Sequence, residues 1–458
     1  MENEDFRRFG HLFVDWIADY FAHLERFPIL SAVQPGDIKR KLPASPPAGP
    51  EPMDKIFRDF EDIIMPGIMH WQHPGWFAYF PANNSPASVL AEMLTAGLGV
   101  QGMIWQTSPS ATELEEVVLD WLRQMIGLPP GFAGVIQDTA STASLCALIS
   151  ARERATDFGV NECGFQKGLT VYASEEAHSS IEKGVKIAGY GRNRLRHIPT
   201  DARLAMIPAR LEEAVLRDKA AGLVPACAVA TVGTTSSGAI DPVRAVADIC
   251  RRHGLWLHVD AAYAGSAAVC PEFRRLLDGC EHADSMVTNP HKWMLTQADC
   301  SVFYTSRPDV LRRAFSLIPP YLETARDPRA VNLMDYGVPL GRRFRALKLW
   351  FVMRSYGREG LARIIRNHVE LAQEFGAKVQ ADPRFEFTAP VSLSVVCFRY
   401  KGSDDDNLRI QQQVNESGEI FISGTRLNGQ FTLRLTIGNV ATERRHVERA
   451  WELVKAAV

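Results

Sequence analysis

Asp284-Ser-Met-Val-Thr-Asn-Pro-His-Lys-Trp293 is a short apolar run, Met286 and Val287, that stops at Asn289-Pro290 and is followed at once by Lys292. An Asn-Pro step punctuates regular structure, so the lysine is delivered just past the tip of a core strand. Upstream, Leu255-Trp-Leu-His-Val259 reads as a second buried strand and delivers Asp260 at its end. Alone, an apolar strand ending in Asp is commonplace, and a lysine after a proline is ordinarily a solvated loop residue. The pair gains its weight from the rest of the chain.

The 458 residues suffice for a large core with appendages, and the balance of 46% apolar and 23% charged residues is that of a globular protein. A net charge of −2 gives no electrostatic reason to expect nucleic acid or an anionic membrane as a partner. No segment approaches the ~18 uninterrupted apolar residues of a membrane span. The acidic start, Met1-Glu-Asn-Glu-Asp5, is unlike a signal or transit peptide. The eight cysteines are scattered with no C-x-x-C pair, so no disulfide framework or zinc site is expected, and the expected home is the reducing cytoplasm.

Phe6, Phe9, Phe13, Trp16, Ile17, Tyr20 and Leu24 form a helical stripe over residues 6 to 27, ended by Pro28. Its aromatic bulk suits either packing on its own domain or a subunit interface. Prolines keep residues 35 to 53 extended, and residues 54 to 65 are helical again. An aromatic loop follows from His70-Trp71 to Asn84, more ordinarily core filling than a ligand pocket. Thr112-x-x-Glu115 reads as a capping box opening a helix that stops at Gly127. Val135-Ile136 then leads to Thr139-Ala-Ser141, small residues whose free N–H groups at a helix start suit an anion, though an ordinary cap reads the same way.

From 170 to 300, short apolar runs alternate with helical segments, the pattern of βαβ units and a mainly parallel sheet. In such sheets ligands sit beyond the carboxyl ends of the strands. His178, Thr235, Asp260 and Lys292 all fall there. A lysine and a carboxylate so placed are what pyridoxal 5'-phosphate (PLP) requires: the amine forms a Schiff base and the carboxylate keeps the pyridine nitrogen protonated. Residues Tyr321 to Leu340 read as a long mobile loop. Gly341-Arg-Arg-Phe-Arg345 opens a long helix, its basic residues taken as a solvated face. The tail reads as a small α+β domain, with strands at Leu393 to Tyr400, Glu419 to Ile422 and Phe431 to Ile437 and a last helix capped by Thr442.

Asn289-Pro-His-Lys-Trp293 with His258-Val-Asp-Ala-Ala-Tyr-Ala-Gly265 resembles the PLP-dependent aromatic-L-amino-acid decarboxylases, the group II decarboxylases. The resemblance extends through Met65-Pro-Gly67, Phe77-Ala-Tyr-Phe-Pro81, Ser108-Pro109, Ala177-His-Ser-Ser180 and Pro339-Leu-Gly-Arg-Arg-Phe-Arg345. It implies an α/β fold of the PLP-dependent transferase fold type I (aspartate aminotransferase-like), with a mainly parallel seven-stranded sheet. The implied parts are a helical dimerisation arm at 1–85, a PLP-binding domain at 86–350 and a small α+β domain at 351–458. It also implies a homodimer with shared active sites. Carried over by position, Lys292 is the Schiff-base lysine, Asp260 the partner of the pyridine nitrogen, Ala262 the residue beneath the ring and His178 the one stacked over it. Thr139, Ala140, Ser141, Thr235, Asn289 and His291 complete the cofactor site. Trp71, Tyr79, Phe80 and Ala82, with Met103 and Ile104 from the other subunit, are the implied aromatic pocket.

Two positions depart from the family. Its loop tyrosine, the proton donor to the α-carbon, corresponds to Leu333, and Tyr336 is either its replacement or a packing residue. Ala82 stands where relatives carry a hydroxyl, which weakens a catechol preference. The expected activity is decarboxylation of Trp, Tyr, Phe or Dopa to the amine. The alternative that Leu333 raises is aldehyde synthesis, decarboxylation coupled to oxidative deamination.

Overall fold

The structure, a computed structural model, describes residues 1–317 and 330–458. Seven strands form the large sheet: β1 (Ala133–Gln137), β2 (Leu169–Ser174), β3 (Leu195–Ile198), β4 (Val224–Thr231), β5 (Trp256–Asp260), β6 (Ser285–Thr288) and β7 (Ser301–Thr305). They lie in the order β1-β7-β6-β5-β4-β2-β3, and β7 alone of these runs against its neighbours. The mainly parallel α/β sheet expected from the sequence is therefore present.

Its strands read as near-continuous apolar runs because helices cover both faces. Along β4, Cys227 and Val229 pack with Leu148 and Ala151 of the helix Ala140–Ala155. The alternate residues, Ala228 and Ala230, face Val243 and Val246 of the helix Val243–His253.

A second sheet of four antiparallel strands, β8 (Phe385–Phe387), β9 (Val395–Tyr400), β10 (Ser423–Leu427) and β11 (Gln430–Thr436), has the order β10-β11-β9-β8. Its core joins Phe398 and Leu433 to Phe375 on the helix Ala346–Ala381, Ile410 on Asp404–Glu416 and Trp451 on Arg444–Ala456. The helix Ala346–Ala381 spans both cores and is broken at Gly357, whose φ of 63° is costly for any residue with a Cβ.

Several local expectations are corrected. The N-terminal helix runs from Asn3 to Ala22 and gives way to a 3-10 turn, Leu24–Arg26, before Pro28 is reached. A short helix, Asp37–Lys41, interrupts the proline-rich stretch. Thr112 and Glu115 are not a capping box: the helix begins at Pro109 with Ser108 as its cap, since proline suits a first helical turn. Glu115 instead turns inward to accept from the Ile136 N–H and from Arg342. Arg342 is correspondingly buried rather than solvated, and the long helix starts only at Ala346. Residues 419–422 hold a single bridge, Phe421 to Trp76, and no strand. Thr442 donates to the Pro74 carbonyl, while Glu443 and His446 form the box that caps the last helix. The predicted loop Tyr321 to Leu340 lies in part outside the described residues; what is described contains a 3-10 turn, Leu333–Tyr336.

Candidate active site

The carboxyl ends of β1, β2, β4, β5 and β6 converge on a cavity of roughly 520 Å³. Lys292, Asp260, Ala262, His178, Thr139, Ala140, Ser141, Thr235, Asn289 and His291 all line it, together with Trp71, Tyr79 and Phe80. Asp260 ends β5 and Lys292 lies in the single helical turn Pro290–Trp293 that follows β6, and those two strands are adjacent. The carboxylate and the amine thus meet because their strands pair in parallel register.

The electrostatics follow from burial. Desolvation lowers the Lys292 pKa, opposed by Asp260 and assisted by the Arg434 cation, which favours the neutral, nucleophilic amine. Asp260 accepts from the Ala262 N–H at Oδ1 (3.1 Å). Burial also lowers His178, against the pull of Asp260. Its Nδ1 accepts from the Ser180 N–H at 3.2 Å and contacts the Ser180 hydroxyl at 2.8 Å, which assigns the ring proton of the neutral form to Nε2. His291, with Nδ1 2.7 Å from the Cys300 carbonyl, is lowered to about 4 by desolvation. Asn289 receives the Ser301 hydroxyl at 2.8 Å and is thereby fixed.

The unfilled valences fit PLP. Asp260 Oδ2 and Lys292 Nζ have no hydrogen-bond partner among the described residues, and Thr231 Oγ1, also on the cavity wall, is buried and unpartnered. On the same cavity wall Thr139 caps the helix Ala140–Ala155, whose first-turn N–H groups at Ala140 and Ser141 precede the helical ladder and suit a phosphate. Gly233 also lines the cavity. Its φ is 88°, and a Cβ there would lie 2.7 Å from Tyr263 Cδ1, so no larger residue fits unchanged.

At the mouth, Tyr79 and Trp71 stack at 5.8 Å and Trp71 stacks on Trp76 at 4.6 Å, with Tyr79 56% and Trp71 37% exposed. Phe80 packs edge-on against Trp293, 5.5 Å between centroids. Ala82 is not among the lining residues. Met103 and Ile104 pack against Met334 in the same chain, away from this cavity. Leu333 is buried in the cluster around Val135 and Phe303, and Tyr336, half-buried, packs on the same cluster outside the cavity wall.

Sequence reasoning missed the wall contributed by the small sheet: Ser423, Gly424, Thr425 and Arg434. Arg434 is 6% exposed and donates from Nε to the Ser236 carbonyl (3.1 Å) and from Nη1 to the Tyr79 carbonyl (2.5 Å). The available signal was a charged residue amid the apolar alternation of β11. Thr231, Gly233, Thr234 and Ser236 were missed beside Thr235, though the same strand end announces them.

Residues 35–401 match the pyridoxal-dependent decarboxylase conserved domain. The chain is 45% identical to a phenylacetaldehyde synthase of Arabidopsis thaliana, over 99% of this chain and 96% of that one. It is also 45% identical to the aromatic-L-amino-acid decarboxylase of Sus scrofa, with the same coverage. The crystal structure of Oryza sativa TDC with PLP and tryptamine superposes with a TM-score of 0.97 at 40% identity, covering 100% of this chain and 98% of that one. A match over most of the chain, joined to a cavity with the valences that PLP fills, makes it a PLP-dependent carboxy-lyase: the chain belongs to the pyridoxal-dependent decarboxylase family.

Proposed function

We propose that the chain removes CO2 from aromatic L-amino acids, releasing the arylalkylamine. The observation that carries this reading is the adjacency of Lys292 and Asp260 at neighbouring strand ends, below an aromatic mouth. PLP, when bound, supplies the electron sink that takes up the charge left at the α-carbon as CO2 departs. Lys292 would hold the cofactor covalently through its neutral amine, and Asp260 would keep a proton on the pyridine nitrogen. Ala140 and Ser141 would receive the phosphate, with Thr139, Thr235 and Asn289 close by, and His291 would complete the cofactor site. Ala262 would pack beneath the ring and His178, presenting Nε2–H, would stack over it, orient substrate and move a proton. Trp71, Tyr79 and Phe80 offer flat apolar area to an aromatic side chain.

The finer assignments belong to the same proposal. A homodimer is supported by an apolar groove between the helices Asn3–Ala22 and Pro86–Leu98, where Phe6, Val14, Leu90 and Met93 stand exposed on one chain. Met103 and Ile104 would then reach the partner's cavity, and Ala82 would border the substrate ring. The chain would divide into an arm at 1–85, a large domain at 86–350 and a small domain at 351–458. Cytoplasmic residence is supported by eight free cysteines. Among the described residues no helix is long and apolar enough to cross a membrane.

A second reading rests on Leu333. A buried leucine has no proton to give at the position where the resemblance places a tyrosine, so protonation of the α-carbon would fall to Tyr336 or His178, or O2 would oxidise the substrate instead. In that case amino acid, O2 and water give aldehyde, CO2, ammonia and H2O2. The test is product analysis with L-tryptophan, L-tyrosine, L-phenylalanine and L-Dopa and added PLP. Amine and CO2 in equal amounts without peroxide are expected. Aldehyde with matching peroxide and ammonia would install the second reading, and a keto acid without CO2 would overturn both.

A further inference from the structure

The backbone that follows Lys292 is strained and is held from outside. Leu295 has a φ of 52°, a conformation that a branched apolar residue rarely adopts. Three side chains from one short segment grip this turn. Asn83 Nδ2 donates to the Lys292 carbonyl (2.5 Å) and also to the Gly438 carbonyl (2.6 Å). Ser85 Oγ donates to the Leu295 carbonyl at 2.9 Å, and Ser88 Oγ accepts from the Gln297 N–H at 2.7 Å. Asn83 and Ser88 are fully buried and Ser85 is 2% exposed.

The grip has a cost that packing alone does not explain. Asn83 Oδ1 is buried with no partner, and an orphaned amide oxygen is unfavourable unless its N–H groups are needed where they are. The amide bridges the lysine turn to the small-sheet side of the molecule at Gly438. Ser85 and Ser88 lie at the start of the helix Pro86–Leu98, where Ser85 is also the N-cap. We propose that Asn83, Ser85 and Ser88 are positioning residues for Lys292, a clamp that fixes where the amine meets the cofactor. This rests on the reading that Lys292 bonds PLP.

The test uses the full-length holoenzyme with Asn83→Ala, Ser85→Ala, Ser88→Ala and Ser85→Thr. Three quantities are read: borohydride trapping of PLP on Lys292, the pH titration of the visible absorbance of bound PLP, and kcat with KM per bound PLP. A misplaced amine should move the absorbance titration by roughly half a pH unit. It should also lower kcat about ten-fold with KM little changed. Ser85→Thr, which keeps the hydroxyl, should recover most of what Ser85→Ala loses. A merely structural role would lower Tm but leave the titration and kcat per bound PLP at the wild-type values, and that result overturns the clamp. If Asn83→Ala does not fold, Ser85→Ala and Ser88→Ala carry the same test. Wild type that binds PLP but traps none at Lys292 sinks the lysine assignment and the clamp together. Wild type trapped at Lys292 with unaltered variants sinks the clamp alone.

Discussion

Arg342 and Glu115 are ion-paired out of solvent, Nη2 to Oε1 at 2.8 Å, with side chains 6% and 3% exposed. Arg342 also donates to the Ile136 carbonyl at 2.7 Å, and its own N–H meets Gln101 at 2.8 Å. One guanidinium therefore joins the helix Pro109–Ile126, strand β1 and the turn before the long helix. Glu115→Ala strands that cation in the core and should cost about 3–5 kcal/mol. Replacing both partners by apolar residues of similar volume should cost less. Urea unfolding of the single and double variants decides this.

Lys292→Ala should abolish turnover and borohydride-trapped PLP while cofactor still binds noncovalently in the cavity. Asp260→Asn should keep the fold but lose the charge that holds the pyridine proton, lowering kcat by about a hundred-fold or more. Steady catalysis by either variant in single-turnover and steady-state assays would contradict the roles assigned to them.

The acid limb of stability should be set in part by buried histidines. His73, His258, His291 and His368 are each lowered from 6.5 to about 4, desolvation being the largest cause. Their folded pKa values lie below the unfolded one, so between pH 6.5 and 4 the unfolded chain binds protons that the native one refuses. Stability should fall as pH drops through that window and be insensitive to these groups above it. Urea midpoints measured from pH 7.5 to 4.5 test the sign. Replacing His368, which receives the Trp293 indole N–H at 2.9 Å, should remove about one proton from the slope.

Gly233→Ala should weaken PLP binding and destabilise the fold together. The left-handed φ costs an alanine about 1–2 kcal/mol, and the displaced Tyr263 ring adds to that. Cofactor titration by absorbance, with Tm alongside, separates this from a loss of catalysis alone.

The sheet and half of the site were legible because apolar runs with abrupt stops state where strands end. Asp260, Lys292, His178 and Thr139 each follow such a stop, and parallel topology does the rest. Residues whose partners are remote in sequence were not legible. Arg342 looks solvated in a basic run until Glu115 is found opposite it, and Glu115 looks like part of a cap until Pro109 starts the helix early. Arg434 reaches the cavity only because β11 packs beside loop 233–239, a juxtaposition no local pattern encodes. Asn83 reads as a loop residue until the Lys292 carbonyl is seen beside it.

The exposed Trp71, in ring contact with Tyr79 and Trp76 at the mouth, makes the protein its own optical gauge. An indole at that threshold changes its emission when an aromatic guest displaces water from its face. It also transfers excitation to any chromophore seated below. Occupancy of the cavity should therefore be readable by fluorescence in an unlabelled sample, before a single molecule of product is formed.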